Sequence, residues 1–124
     1  MKGPTTKALG DAGEALALAH LLRHGLTLVQ RNYRVARGPN ARGGEVDLIL
    51  RERDGTLVFA EVRSRAGSAH GGAAASITAT KQRRIVYAAR HYLRALRQMP
   101  PCRFDVIAID GERVEWLRGA FDAS

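Results

Sequence analysis

The stretch Gly44-Glu45-Val46-Asp47-Leu48-Ile49-Leu50-Arg51-Glu52-Arg53-Asp54-Gly55-Thr56-Leu57-Val58-Phe59-Ala60-Glu61-Val62-Arg63 decides the fold. Residues 45–50 and 57–62 are strand-like runs, and Arg53-Asp54-Gly55 between them reads as a hairpin turn. Side chains alternate along a strand, so Glu45, Asp47 and Ile49 are expected on one side of the first run, and Phe59, Glu61 and Arg63 on one side of the second. The turn decides whether these sets meet. An Asp54-Gly55 loop pairs Arg53 with Thr56 and puts Asp47 and Glu61 on opposite faces. A loop of Arg53-Asp54-Gly55, with Gly55 left-handed in a bulge, pairs Glu52 with Thr56 and sets Asp47 opposite Glu61 and Glu45 opposite Arg63. Asp-Gly suits both.

Upstream, Leu26 to Val35 has the β-branched and aromatic content of a strand and runs into a turn-rich loop over residues 36–44. Before it, Leu9 to His24 has helical periodicity and Gly25 supplies a left-handed stop. Gly10, Glu14, Ala17, Leu18 and Leu21 share one side of that helix, so Glu14 faces the fold from a stripe otherwise small and apolar. His20 and His24 lie on a different face, expected to be solvated rather than metal-binding.

Downstream, residues 64–76 are rich in Gly, Ala and Ser, and Thr78 can cap a helix running to about Gln98, before Pro100-Pro101. Ile85, Ala89, Tyr92 and Leu96 form its core stripe. Arg83, Arg90, Arg94 and Arg97 form an outer basic ridge that is either a phosphate-binding face or a plain solvated one. Cys102 to Ile109 and Arg113 to Leu117 read as strands joined by Asp110-Gly111-Glu112. The order predicts a single α/β domain with a mixed sheet, its core spanning about residues 9–117 and flexible tails covering 1–7 and 119–124.

The 124 residues hold 20 Lys+Arg against 12 Asp+Glu, a net charge of +8, which favours a polyanionic partner, nucleic acid first. A lone cysteine, Cys102, excludes an intrachain disulfide and a sulfur-ligated zinc. With neither a signal-peptide core nor a run of about 18 apolar residues, a soluble cytoplasmic protein without a membrane role is expected. Walker loops, zinc fingers and an aromatic stacking platform are not evident, so recognition by shape and backbone is expected over base reading.

In the three-residue register two carboxylates face each other across about 5 Å, which destabilises a strand pair unless something positive sits between them. A divalent cation, Mg²⁺ or Mn²⁺, is the natural candidate. Asp47 and Glu61 offer hard oxygen ligands, the Val62 backbone carbonyl a third, and Glu14 can close the site from the helix. The alternative pairs Glu61 with Arg63 or Arg65 in an ordinary strand ion-pair network.

Gly13-Glu14-x-x-Ala17, Arg31-Asn32-x-Arg34, Gly44-Glu45-Val46-Asp47-Leu48-Ile49, Phe59-Ala60-Glu61-Val62-Arg63-x-Arg65, Lys81-Gln82 and Arg103-Phe104-Asp105-Val106 occur in this order over most of residues 9–109. Together they resemble the bacterial YraN family, an uncharacterised group among PD-(D/E)XK nuclease-like folds. The resemblance implies a restriction-endonuclease-like α-β-β-β-α-β core, similar to archaeal Holliday-junction resolvases, and by that analogy a homodimer. It also implies an endonuclease acting on structured or branched DNA. Glu14 matches the helix acid, Asp47 the first strand acid, Glu61 the second acid, and Lys81 or Gln82 the polar position on the second helix.

Arg63 departs from the superfamily pattern, which has lysine there. Arginine stays protonated, so it can neutralise charge but cannot act as a base. Lys81 is the only lysine beyond the N-terminal tail. Two alternatives to an enzyme follow: a non-catalytic nucleic-acid-binding module on the same fold, and a basic scaffold for an acidic protein partner.

Overall fold

The computed structural model describes residues 6–38, 43–64 and 77–123. Arg65, part of the expected N-terminal tail (1–5), the centre of the first loop (39–42) and nearly all of the Gly/Ala/Ser-rich stretch lie outside them. The elements are α1 (Thr6–Arg23), β1 (Thr27–Val35), β2 (Gly44–Arg51), β3 (Leu57–Ser64), α2 (Ala79–Arg94), β4 (Cys102–Asp110) and β5 (Arg113–Phe121). The strands form one five-stranded sheet in the order β1-β2-β3-β4-β5. All neighbours are antiparallel except β3 and β4, which run parallel because α2 carries the chain between them. The chain is an α/β domain with a mixed sheet.

The turn between β2 and β3 takes the three-residue form. Glu52 N–H donates to the Thr56 carbonyl at 2.9 Å and Gly55 N–H to the Glu52 carbonyl at 3.0 Å, while Gly55 has φ +95°. That left-handed residue is sterically cheap only for glycine. The resulting register, Arg51 with Leu57 through Leu48 with Ala60, brings Asp47 level with Glu61 when continued one residue.

The sheet is covered on both faces. Against α2 pack Val46, Ile49, Leu57, Phe59 and Phe104, with the stripe residues Ile85 and Ala89 buried and Tyr92 and Leu96 partly so. Against α1 pack Leu48, Leu50, Val58, Ala60, Ile107 and Ile109, meeting Ala17 and Leu21. The three inner strands, β2, β3 and β4, therefore carry apolar side chains on both sides, as strands covered on both faces require.

Alternation along β2 is not strict, which corrects the single-sided row expected for Glu45, Asp47 and Ile49. Val46, opposite Tyr33, packs with the α2 layer, whereas Leu48, opposite Arg31, packs with the α1 layer. The reversal falls at Asp47 and at Asn32 across from it, and Asn32 has φ +52°. Asparagine is among the few side chains that enter this region readily. The kink frees Asp47 from a regular strand position at the end of the sheet where β3 carries Glu61.

Helix α1 ends in a Schellman motif: Gly25, φ +92°, donates to the Leu22 carbonyl, and Leu26 N–H to the Leu21 carbonyl. Helix α2 begins as expected at Thr78, whose Oγ1 accepts from Lys81 N–H at 3.1 Å. It stops at Arg94 rather than near Gln98, because Ala95 and Leu96 already donate to i−3 carbonyls in a tightened last turn. Arg97 thus lies beyond the helix. Strand β5 continues to Phe121, so residues 119–121 belong to the sheet and not to a C-terminal tail.

Gly44 fixes how closely β2 approaches α2. A Cβ there would strike the Arg84 carbonyl and lie 2.9 Å from the Ala88 nitrogen, both backbone atoms that cannot turn aside. Gly44→Ala should therefore cost about 1–3 kcal/mol of stability, read as a lower denaturant midpoint. An unchanged midpoint would show that the two elements can separate freely.

Candidate active site

The N-terminal end of β2, the C-terminal end of β3, the first turn of α2 and the inner side of α1 converge at one end of the sheet. Here the strand pairing gives way to side-chain contacts. In the observed register Val62 N–H would next donate to the Val46 carbonyl; it donates instead to Asp47 Oδ2 at 2.9 Å. Asp47 therefore bridges the two strands through its carboxylate. Burial raises its pKa above the ordinary Asp range, a tendency that the Val62 N–H opposes and the nearby Glu14 reinforces.

Glu61 is 3% exposed, and its Oε2 is buried with no hydrogen-bond partner. Burial first, then the charge of Asp47, push its pKa up to about 8, against the opposing pull of Lys81 and Arg63. Lys81 Nζ lies 3.6 Å from Glu61 Oε1 and 3.2 Å from Glu45 Oε1. The Thr78 cap sets this position, because it fixes the backbone of the turn from which the lysine projects. Glu45 is held on its other oxygen by Arg34 at 3.5 Å.

Glu14 comes close enough to act on Asp47 electrostatically, but its Oε1 is clamped by Arg31 at 3.2 Å. Gly13 permits this approach of α1, since a Cβ there would strike Ser64 Oγ at the end of β3. Arg63 is half-buried and acts on Glu61 through its charge. Gln82 is not brought to the acids: its Nε2 donates to the Ile77 carbonyl at 3.2 Å, tying down the segment before α2. Of the two polar candidates on α2, Lys81 is the one that lies against the acids.

Sequence reading missed Glu45, Arg31 and Arg34 as members of this cluster. All three stood in the quoted motifs, but their partners depend on the kink at Asn32. Among the described residues no set of three His, Cys, Asp or Glu side chains is arranged to hold a metal ion, so Asp47 and Glu61 stand as a pair. The unpartnered Glu61 Oε2 fits a cation bound by two carboxylates, while Glu14, near Asp47, gives Arg31 its Oε1.

A second buried acid shows what a purely structural carboxylate looks like in this fold. Asp105 is fully buried and accepts from Arg103 Nε (2.8 Å) and Nη2 (3.0 Å), Trp116 Nε1 (2.9 Å) and Gly119 N–H (2.9 Å). Arg103 also donates to Glu52 at 2.9 Å. Both Asp105 oxygens are saturated, and they pin β5 to β4 across the irregularity between Phe104 and Val106. Glu61 has no such saturation.

On the ridge, Arg83, Arg90 and Arg94 are exposed along α2, and Arg97 is exposed beyond its end. His20 and His24 do not form a plain solvated face: their rings lie 4.3 Å apart and both meet Trp116 edge-on.

Fold and site define a basic α/β domain with an acid–lysine cluster at one end of a mixed sheet, in the element order α-β-β-β-α-β-β. The profile described as "Uncharacterised protein family UPF0102" matches residues 13–109. The chain belongs to this family, which is the YraN family. It is 68% identical over 120 residues to a UPF0102 protein of Methylibium petroleiphilum, covering 97% of this chain and 98% of the relative. It is 64% identical over 120 residues to one of an Acidovorax species, covering 97% and 89%. A UPF0102 protein of Polaromonas naphthalenivorans is 52% identical over 132 residues, covering 99% and 84%. Among the described residues no helix is long and apolar enough to cross a membrane.

Proposed function

We propose that the chain is a metal-dependent endonuclease acting on structured or branched DNA in the cytoplasm. The observation that carries this reading is the buried, unpartnered Glu61 Oε2 beside Asp47, in a sheet whose other fully buried acid is saturated. Native structures rarely leave a buried polar atom without a partner, so the exception calls for a ligand. Asp47 and Glu61, with the Val62 carbonyl, would hold Mg²⁺ or Mn²⁺, which supplies Lewis acidity toward a phosphate oxygen and acidifies water. Lys81 places an ammonium at the same point, where it neutralises charge and can position water. Arg63 adds charge alone. The arginines of α2 draw in the polyanion.

A second reading, the non-catalytic nucleic-acid module, is favoured by the same lysine, since its ammonium already bridges Glu45 and Glu61.

Incubation with linear, nicked, flapped and four-way DNAs separates the two readings. The proposal expects slow nicking with Mg²⁺ or Mn²⁺ that EDTA abolishes, with binding that weakens steeply as salt rises. Binding without cleavage under every metal would leave the module reading. Absence of binding even at low salt would leave the acidic-protein scaffold.

A further inference from the structure

Along α2 runs a groove of about 510 Å³ lined by Arg37, Gln82, Arg83, Tyr87 and Arg90 and closed by Asp122 and Ala123. The Arg37 guanidinium lies over the Tyr87 ring, 5.3 Å from its centroid. Arg90 Nη2 donates to the Ala123 carbonyl at 3.0 Å, and Arg83 Nη2 to Thr80 Oγ1 at 3.1 Å. Three arginines thus line one groove, one of them over its aromatic ring, and the chain's own C-terminal segment holds Arg90.

We propose that this groove binds a single strand of nucleic acid, one base taking the place of the Arg37 guanidinium on the Tyr87 ring and its phosphates meeting Arg37, Arg83 and Arg90, with residues 122–123 as an internal stand-in that the strand displaces. The inference rests on the reading of the chain as a nucleic-acid-binding protein and names the form of nucleic acid that the groove takes. Its volume lies within the range of small-ligand pockets, about 300–1,000 Å³, which suits a nucleotide or two. A duplex offers Tyr87 no unpaired base face. An acidic peptide satisfies the arginines but offers the ring no stacking partner. Base–aromatic stacking tolerates any sequence, which agrees with the absence of a base-reading motif. Branched and flapped DNAs carry the unpaired segments that such a groove would take.

The test is fluorescence anisotropy in EDTA, so that no cleavage occurs, with labelled oligothymidylate, an abasic strand of the same length, and poly-glutamate as competitor. Tyr87→Leu should weaken the thymidylate strand about tenfold and leave the abasic strand nearly unchanged. Arg83→Gln with Arg90→Gln should weaken both strands about tenfold, well beyond the loss from Arg94→Gln with Arg97→Gln, which lie outside the groove. A chain ending at Phe121 should bind more tightly. Equal losses in the two arginine pairs, equal effects of Tyr87→Leu on both strands, or poly-glutamate competing as well as oligothymidylate would each overturn the groove. Unchanged affinity after truncation would overturn the role of the C-terminus. Strand binding with no cleavage of any DNA would keep the groove and refute the nuclease, and cleavage that ignores these substitutions would do the reverse.

Discussion

Glu61→Gln should make the chain inactive and, at pH 8, more stable. A carboxyl whose pKa rises from 4.5 in the unfolded chain to about 8 in the fold binds its proton more tightly when folded. Its favourable contribution is therefore complete below the unfolded value, is lost as pH rises toward 8, and is gone above it. At about 1.4 kcal/mol per unit, the ionised form costs the fold several kcal/mol. Glutamine keeps the volume and removes the charge, although its buried amide forfeits about 1–3 kcal/mol where it lacks partners. The difference from wild type should be small near pH 5, grow through pH 7 and level off above 8, reaching a gain of several degrees in Tm. A structural ion pair predicts the opposite sign, since removing one partner leaves Lys81 poorly compensated. Mg²⁺ or Mn²⁺ should raise the wild-type Tm by mass action and leave the Gln variant unmoved. A lower Tm for Glu61→Gln at pH 8, together with no metal effect on wild type, would return Glu61 to the fold's scaffolding.

The parts of this site that were legible in sequence are those governed by local chemistry. Gly55 could serve either of two hairpins, and what resolves them is long-range: only the three-residue loop keeps Leu48, Leu50, Val58 and Ala60 in one layer against α1. Gly25 and Thr78 could be read as helix stop and start because each acts within one turn. The end of α2 was not legible, because no breaker stands between Arg94 and Pro100, and the helix yields instead to a tightened turn. Strand β5 outran its expected end because Gly119 occupies a left-handed position in a bulge whose N–H is held by Asp105. That acid lies 14 residues away and on another strand.

The acids themselves stood out in sequence with their register open between two turns, yet their surroundings did not. Asn32 turns β1 and β2 over at the level of Asp47, and it is this reversal that lets Arg31 face Glu14 while Tyr33 faces α2. Periodicity assumes an unbroken strand, so it assigned Glu45, Asp47 and Ile49 to one side. Likewise, helical spacing placed Lys81 at the start of α2 but carried no information on its reach. That distance follows from the Thr78 cap and from the close seat of α2 on Gly44.

Lys81 and Arg63 should be exchangeable in one direction. Both act on Glu61, Lys81 from α2 at 3.6 Å and Arg63 from two residues further along β3, on the same side of the strand as Glu61. Only the ammonium is compact enough to approach both a carboxylate and a water; the guanidinium spreads its charge over a plane and stays protonated. Lys81→Met should therefore cut metal-dependent nicking by about 10²-fold, the loss typical of removing one donor to developing charge. Its effect on folding should be slight, because Arg34 still holds Glu45 and Glu61 can keep its proton. Arg63→Lys alone should raise activity, since a second ammonium then reaches the acids from the strand. Combined with Lys81→Met, it should restore most of the lost rate, because one lysine facing Glu61 suffices whichever element supplies it. Lys81→Arg, which keeps the charge at its present place, should not rescue. Equal activity in the Met and Arg variants and wild type would show that Lys81 serves only as a counter-ion for the buried acids. Failure of Arg63→Lys to rescue, with Lys81→Met inactive, would confine the chemistry to the geometry that α2 alone provides.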